Sequence, residues 1–81
     1  MKGLAIIGCG AIGSLIARAV DDGVIEAELL YLLDLDRAKA ERLASSLRRQ
    51  RPRVARGIEE VVEDSRVRVV VEAASQGAVL Q

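Results

Sequence analysis

Histidine, tryptophan and phenylalanine are missing from this 81-residue chain, and cysteine, proline and tyrosine occur once each. Without histidine the chain lacks the commonest general acid or base and the commonest metal ligand. No histidine is thus available for catalysis or metal binding, and no catalytic residue or metal site is assigned among its own side chains. The lone cysteine, Cys9, excludes an internal disulfide and fits a reducing, cytoplasmic setting. A single aromatic, Tyr31, offers no platform on which exposed bases could stack. Twelve basic residues against twelve acidic ones leave no net charge, which argues against a general nucleic-acid or membrane-surface role. The apolar stretches are short and broken by Gly, Asp and Glu, too short to span a bilayer. The residues after Lys2 do not follow the order of a signal peptide.

Glycine, by contrast, is concentrated where it matters. Gly8-Cys9-Gly10-Ala11-Ile12-Gly13 follows the apolar run Leu4 to Ile7 and opens a helical pattern. Gly8 permits a tight turn, Gly10 removes a side chain that would block a pyrophosphate, and Gly13 lets the helix lie against the strand. Phosphates would then rest on the unpaired amides of the helix start, at Ala11, Ile12 and Gly13. Asp34 stands 21 residues beyond Gly13, directly after the second apolar run, Leu29 to Leu33. A carboxylate there can accept hydrogen bonds from ribose hydroxyls. Together these features predict a dinucleotide cofactor, NAD or NADP. NAD is preferred because Asp34 would repel a 2′-phosphate, although Arg37, three residues on, could pair with one if Asp34 swings aside. Cys9 occupies a variable position of the pattern and reads as a small packing residue.

The rest of the chain continues the same alternation, and the fold expected is α/β: a Rossmann-type parallel sheet with flanking helices. A first strand over Gly3 to Ile7 leads to a helix from Ala11 to about Asp22 that Gly23 stops. Ile12, Leu15, Ile16, Ala19 and Val20 should form its buried face, with Ser14, Arg18, Asp21 and Asp22 largely elsewhere. A second strand spans roughly Glu28 to Leu33. Asp36 is placed to cap the next helix, whose inner face is Ala40, Leu43, Ala44 and Leu47, and Pro52 bars its continuation. Arg53 to Ala55 reads as a short third strand, followed by a brief helix with Ile58, Val61 and Val62 inward. The β-branched run Val67 to Val71 reads as a fourth strand beside the first. Ala74 and Ser75, at its carboxyl end, are the last candidate cofactor contacts, with Gln76 beside them. Arg48, Arg49, Arg51, Arg53 and Arg56 form the one charge run and read as a solvated helix end and loop.

A domain of this type has about six strands, so residues 1–81 are expected to be an incomplete NAD(P)-binding domain, the first βαβαβ half plus a further strand. The apolar pattern still runs at Val79-Leu80, so the chain reads as the amino-terminal piece of a longer enzyme, with the catalytic domain absent. The open edge of the fourth strand would then favour association or marginal folding.

Ile7-Gly8-Cys9-Gly10-Ala11-Ile12-Gly13 and, more narrowly, Val71-Glu72-Ala73-Ala74-Ser75-Gln76 resemble the amino-terminal cofactor domain of L-aspartate dehydrogenases, especially the archaeal type. The resemblance covers nearly all of the chain and only part of a complete family member. It implies oxidation of L-aspartate to iminoaspartate with reduction of NAD or NADP, then release as oxaloacetate and ammonia or diversion to NAD biosynthesis. It also implies that the catalytic histidine and the aspartate-binding groups lie in a later domain, that the complete protein is a homodimer, and that this chain alone is inactive. Two other readings stay open. One is a cofactor domain from a homoserine dehydrogenase, a dihydrodipicolinate reductase or a related sugar oxidoreductase; the other is a non-catalytic nucleotide-sensing module.

Overall fold

Each strand carries the chain toward the same end of the molecule and each helix carries it back. The computed structural model describes residues 1–74. Its strands are β1 (Lys2–Ile7), β2 (Ala27–Leu33), β3 (Arg53–Val54) and β4 (Val67–Glu72), and its helices are α1 (Ala11–Asp21), α2 (Arg37–Ser46) and α3 (Ile58–Glu63). All strand pairs are parallel, in the order β3-β2-β1-β4. This is the expected Rossmann-type half with one further strand.

The central strand explains its own composition. Leu4 and Ile6 pack with Ala17, Val20, Ala40 and Leu43 of α1 and α2, whereas Ala5 packs with Tyr31, Ala55 and Val61 on the other face. Covered from both sides, β1 needs a continuous apolar run rather than an alternating one. Burying a side chain as large as that of Ile6 stabilises by roughly 1.5–3 kcal/mol. The outer edge of β4, by contrast, is unpaired among the described residues, and Val69 and Val70 are 41% and 43% exposed.

Two irregularities set where the strand ends fall. Between β1 and β2 the register slips at Leu4/Ala5, so that Leu4 pairs Leu29 while Ala5 pairs Tyr31. Leu30 is the extra residue, and it packs on the same side as Tyr31. The bulge re-aims the strand and leaves Leu33 opposite Ile7, which brings Asp34 level with Gly8. A second slip makes Arg68 the extra residue of β4, so the charge that interrupts the valine run is accommodated outside the ladder.

The helix boundaries follow their caps. Gly23 takes a φ of 83° just beyond α1, the left-handed conformation expected of it. Asp36 caps α2 through a hydrogen bond accepted from the Lys39 amide at 3.3 Å. α2 ends at Ser46, well before Pro52. The cause is Asp21, whose carboxylate accepts from the amides of Arg48, Arg49 and Gln50 at 2.8–2.9 Å and turns the chain there. The Gln50 side chain then accepts from the Leu29 amide, tying this turn to β2.

Three expectations about helix faces need correction. The buried residues of α1 are Gly13, Ala17, Val20 and Asp21, whereas Ile12 and Leu15 are 43% and 69% exposed. Contact at Gly13 fixes the near face along the small residues, and the larger side chains rotate away. Asp21, assigned to the polar side, is thereby turned inward. In α3 only Val61 is buried, and Ile58 and Val62 are exposed. Six residues make less than two turns, so a single position can face the sheet.

Candidate functional site

The carboxyl ends of all four strands open onto one cleft of about 500 Å³, lined by Ile7, Gly8, Leu33, Asp34, Leu35, Arg37, Ala55, Arg56, Gly57, Ile58 and Ala74. Ligands of open parallel sheets bind at this end. The floor is held by main-chain bonds between neighbours: Gly8 donates to the Leu33 carbonyl and Ala73 to the Ile7 carbonyl, both at 2.7 Å.

The three glycines of the loop differ in what surrounds them. Gly8 has a φ of 99°, and a Cβ there would stand 2.6 Å from the Ala74 amide nitrogen. A Cβ on Gly13 would run into the carbonyl oxygen of Gly8. Gly8 and Gly13 are therefore required by the fold itself. Gly10 is not, since a Cβ on it would meet nothing within 4 Å. It caps α1 in an extended conformation with no side-chain partner for the first amides, so the helix start at Ala11, Ile12 and Gly13 presents donors without intrahelical acceptors. Open space at a glycine beside such donors can receive an anion's oxygens.

Asp34 ties this loop to the end of β2. One carboxylate oxygen accepts from the Cys9 amide at 2.7 Å and the other from the Asp36 amide at 2.8 Å. The Cys9 bond, with help from the Asp36 bond and the nearby Lys39 charge, holds its carboxyl below the usual carboxylate range despite partial desolvation. It is thus ionised at neutral pH and fixed in place, with half-buried placement on the cleft wall. The swing aside imagined for Asp34 would break both amide bonds. Cys9 is buried, and burial, reinforced by the Asp34 charge, pushes its thiol up to about 11. A protonated, enclosed thiol packs rather than reacts.

Of the other expected contacts, Arg37 and Ala74 line the cleft, while Ser75 lies outside the described residues, as does Gln76. Arg37 directs its Nε to Glu41 at 3.1 Å in an exposed pair one helical turn away. Leu35, Ala55, Arg56, Gly57 and Ile58 belong to the cleft although their sequence gave no local cue. The signal that could have found them is topological: in a parallel sheet the residues after β3 emerge beside those after β2. Among the described residues no group of His, Cys, Asp or Glu is arranged to hold a metal ion, and no helix is long and apolar enough to cross a membrane.

Residues 8–81 match the family described as homoserine dehydrogenase, NAD binding domain. The chain belongs to this family of NAD-binding domains. Its resemblance to archaeal L-aspartate dehydrogenases is borne out by curated relatives. It is 49% identical over 79 residues to the L-aspartate dehydrogenase of Methanosarcina mazei, covering 98% of this chain and 28% of the relative. It is likewise 49% identical over 76 residues to that of Methanocella arvoryzae, covering 94% of this chain and 27% of the relative. The chain thus spans little more than a quarter of these relatives and matches their amino-terminal, NAD-binding region. Among solved structures, the myo-inositol dehydrogenase of Lactobacillus casei in complex with NAD(H) and myo-inositol superposes with a TM-score of 0.84 at 20% identity, covering 96% of this chain and 23% of that one. GenD2 from gentamicin A biosynthesis, in complex with NAD, gives 0.77 at 29% identity, covering 90% and 20%. The Rossmann-type fold is the common denominator of these comparisons.

Proposed function

We propose that this chain is the cofactor-holding part of an NAD(P)-dependent L-aspartate dehydrogenase, with NAD preferred. The observation that carries the reading is the open space above Gly10 next to a fixed, ionised Asp34. In this reading the pyrophosphate crosses Gly10 and meets the amides of Ala11, Ile12 and Gly13. Asp34 accepts from the ribose diol with the lone pairs its two amide bonds leave over, and Ala74 and Ser75 let the cofactor pass close to the end of β4. A nicotinamide held in this cleft would supply the hydride acceptor for the oxidation of aspartate. This chain's residues would hold that acceptor and screen its phosphates, and no histidine is among them to act as a general base.

The similarity to curated L-aspartate dehydrogenases supports the substrate assignment over the homoserine dehydrogenase, dihydrodipicolinate reductase and nucleotide-sensing alternatives. The catalytic histidine and the aspartate-binding groups then belong to a further domain, the enzyme with that domain is a cytoplasmic homodimer, and the 81-residue chain alone does not oxidise aspartate. Calorimetric titration of the chain with NAD and NADP tests the cofactor part. NAD should bind more tightly, and Asp34→Ala should weaken NAD by about tenfold or more, as expected for losing charge-assisted hydrogen bonds. Tighter NADP binding together with an unchanged NAD affinity in Asp34→Ala would remove Asp34 from the site. NADH production from L-aspartate by the chain alone would overturn the division of labour.

A further inference from the structure

Around Asp34 the cleft gathers positive charge. Lys39 is close enough to help hold the Asp34 carboxyl below its ordinary range, and two arginines, Arg37 and Arg56, line the cleft itself. The arginines are not equivalent. Arg37 is engaged with Glu41. Arg56 has no carboxylate in ion-pair contact with its side chain among the described residues, although Glu59 and Glu60 border the depression on its other side. Glu60 is already committed twice, to the guanidinium of Arg53 at 3.2 Å and to the backbone amide of Arg56 at 2.9 Å.

These bonds also fix where Arg56 stands. The Ala55 amide donates to the Leu32 carbonyl at 2.8 Å, extending the β2–β3 pairing by one residue. The Arg56 amide is then clamped by Glu60, so the side chain starts from a defined point at the cleft rim. A 2′-phosphate on the adenosine ribose would sit against an Asp34 that cannot retreat without losing two amide bonds. Acceptance of that phosphate must therefore come from cations brought to it.

From this arrangement we infer that Arg56, on the loop after β3, is a specificity-determining residue that pairs with the 2′-phosphate of NADP and gives an NAD-preferring site a second, usable cofactor. The inference rests on the dinucleotide reading above. Arg37 already shares its charge with Glu41 through Nε, whereas Arg56 exchanges no ion pair. With Asp34 still present NAD stays the tighter ligand, and Arg56 sets how far NADP falls behind.

The test is calorimetric titration of NAD and NADP into the 81-residue chain and its Arg56→Gln and Arg56→Lys variants. Arg56 is bonded in the fold through its main chain, so both variants should keep the parent melting profile. Arg56→Gln should weaken NADP by about tenfold, the scale of one charge-assisted contact, leave NAD unchanged, and lessen the salt dependence of NADP binding alone. Arg56→Lys should retain most of the NADP affinity. Equal weakening of both cofactors would place Arg56 against the adenine and overturn the phosphate assignment, as would NADP binding that Arg56→Gln leaves untouched. If neither cofactor binds the parent chain, the dinucleotide reading itself fails and takes this inference with it.

Discussion

Two aspartates at opposite ends of the sheet show how the same bonding pattern serves different ends. Asp21, at the close of α1, accepts from three consecutive amides, those of Arg48, Arg49 and Gln50. Asp34, after β2, accepts from two amides far apart in sequence, those of Cys9 and Asp36. In both, hydrogen bonds to the charged form hold the carboxyl below its ordinary range. What separates them is the direction left open. Asp21 is only 6% exposed and is taken up by three amides of one turn, so it works as a clasp between α1 and the turn after α2. Asp34 uses about half of a carboxylate's acceptor capacity and borders an open cleft. The folded chain satisfies one and leaves the other with capacity for a ligand.

The comparison breaks most visibly at the glycines on the Asp34 side. Gly13→Ala forces a methyl group into the Gly8 carbonyl; overpacking of this kind destabilises by about 3 kcal/mol, and a thermal melt should show it. Gly10→Ala meets nothing within 4 Å. Its melting profile should match the parent or improve slightly, because alanine restricts the unfolded chain. NAD affinity measured by calorimetry should nonetheless fall by about tenfold or more. Equal effects of the two substitutions on stability would mean that Gly10 is structural after all; undiminished NAD binding in Gly10→Ala would mean that no phosphate crosses the loop.

At the other end of the sheet the effect is a matter of pH. Asp21 is lowered from 3.8 to about 2 by the Arg48 and Gln50 amides first, with the Arg49 amide and charge adding to them. A depressed folded value means that its stabilising contribution is complete above the unfolded value and is lost as pH falls through the folded one. Stability should therefore drop between about pH 4 and pH 2. Asp64, pulled down by its bidentate contact with Arg66, has the same sign. Asp21→Asn should lower stability at neutral pH and flatten, without abolishing, the acid limb in a series of urea titrations. An acid limb identical to the parent's would show that the clasp contributes nothing through its charge.

Why one aspartate was legible in the sequence and the other was not follows from the range of their signals. Asp34 ends an apolar run at a set distance from a glycine loop, and both cues lie within one strand-turn-helix unit. The strand order was legible for the same reason, since the densest apolar runs, Leu4 to Ile7 and Leu29 to Leu33, had to be the covered strands. Asp21 was assigned by helical periodicity to the polar side, yet its partners lie 27 to 29 residues away. Nothing local announces three amides arriving from the turn after α2. The bulge at Leu30 was hidden because every residue around it is apolar, so a change of face leaves no mark in the pattern. Arg56 looked like one member of a solvated arginine run, and only the parallel pairing of β2 with β3 brings it to the cleft.

The smallest expected effect sharpens the comparison at its ligand end. Arg37 and Glu41 form an i,i+4 pair whose side chains are 54% and 56% exposed, so water and salt screen it, and Glu41→Gln should cost less than about 0.5 kcal/mol in stability. The same substitution frees the Arg37 guanidinium at the rim of the cleft. If Asp34 is fixed and the 2′-phosphate must be met by cations, releasing one should tighten NADP by about threefold, consistent with the small strength of the exposed pair it replaces. NAD, which brings no charge to that position, should bind as before. Both quantities can be read from calorimetry on Glu41→Gln beside the parent chain. A gain shared equally by NAD and NADP would mean that Arg37 reaches a part of the cofactor common to both; no gain for either would mean that Arg37 does not reach the 2′-phosphate, leaving Arg56 as the cleft arginine available to it.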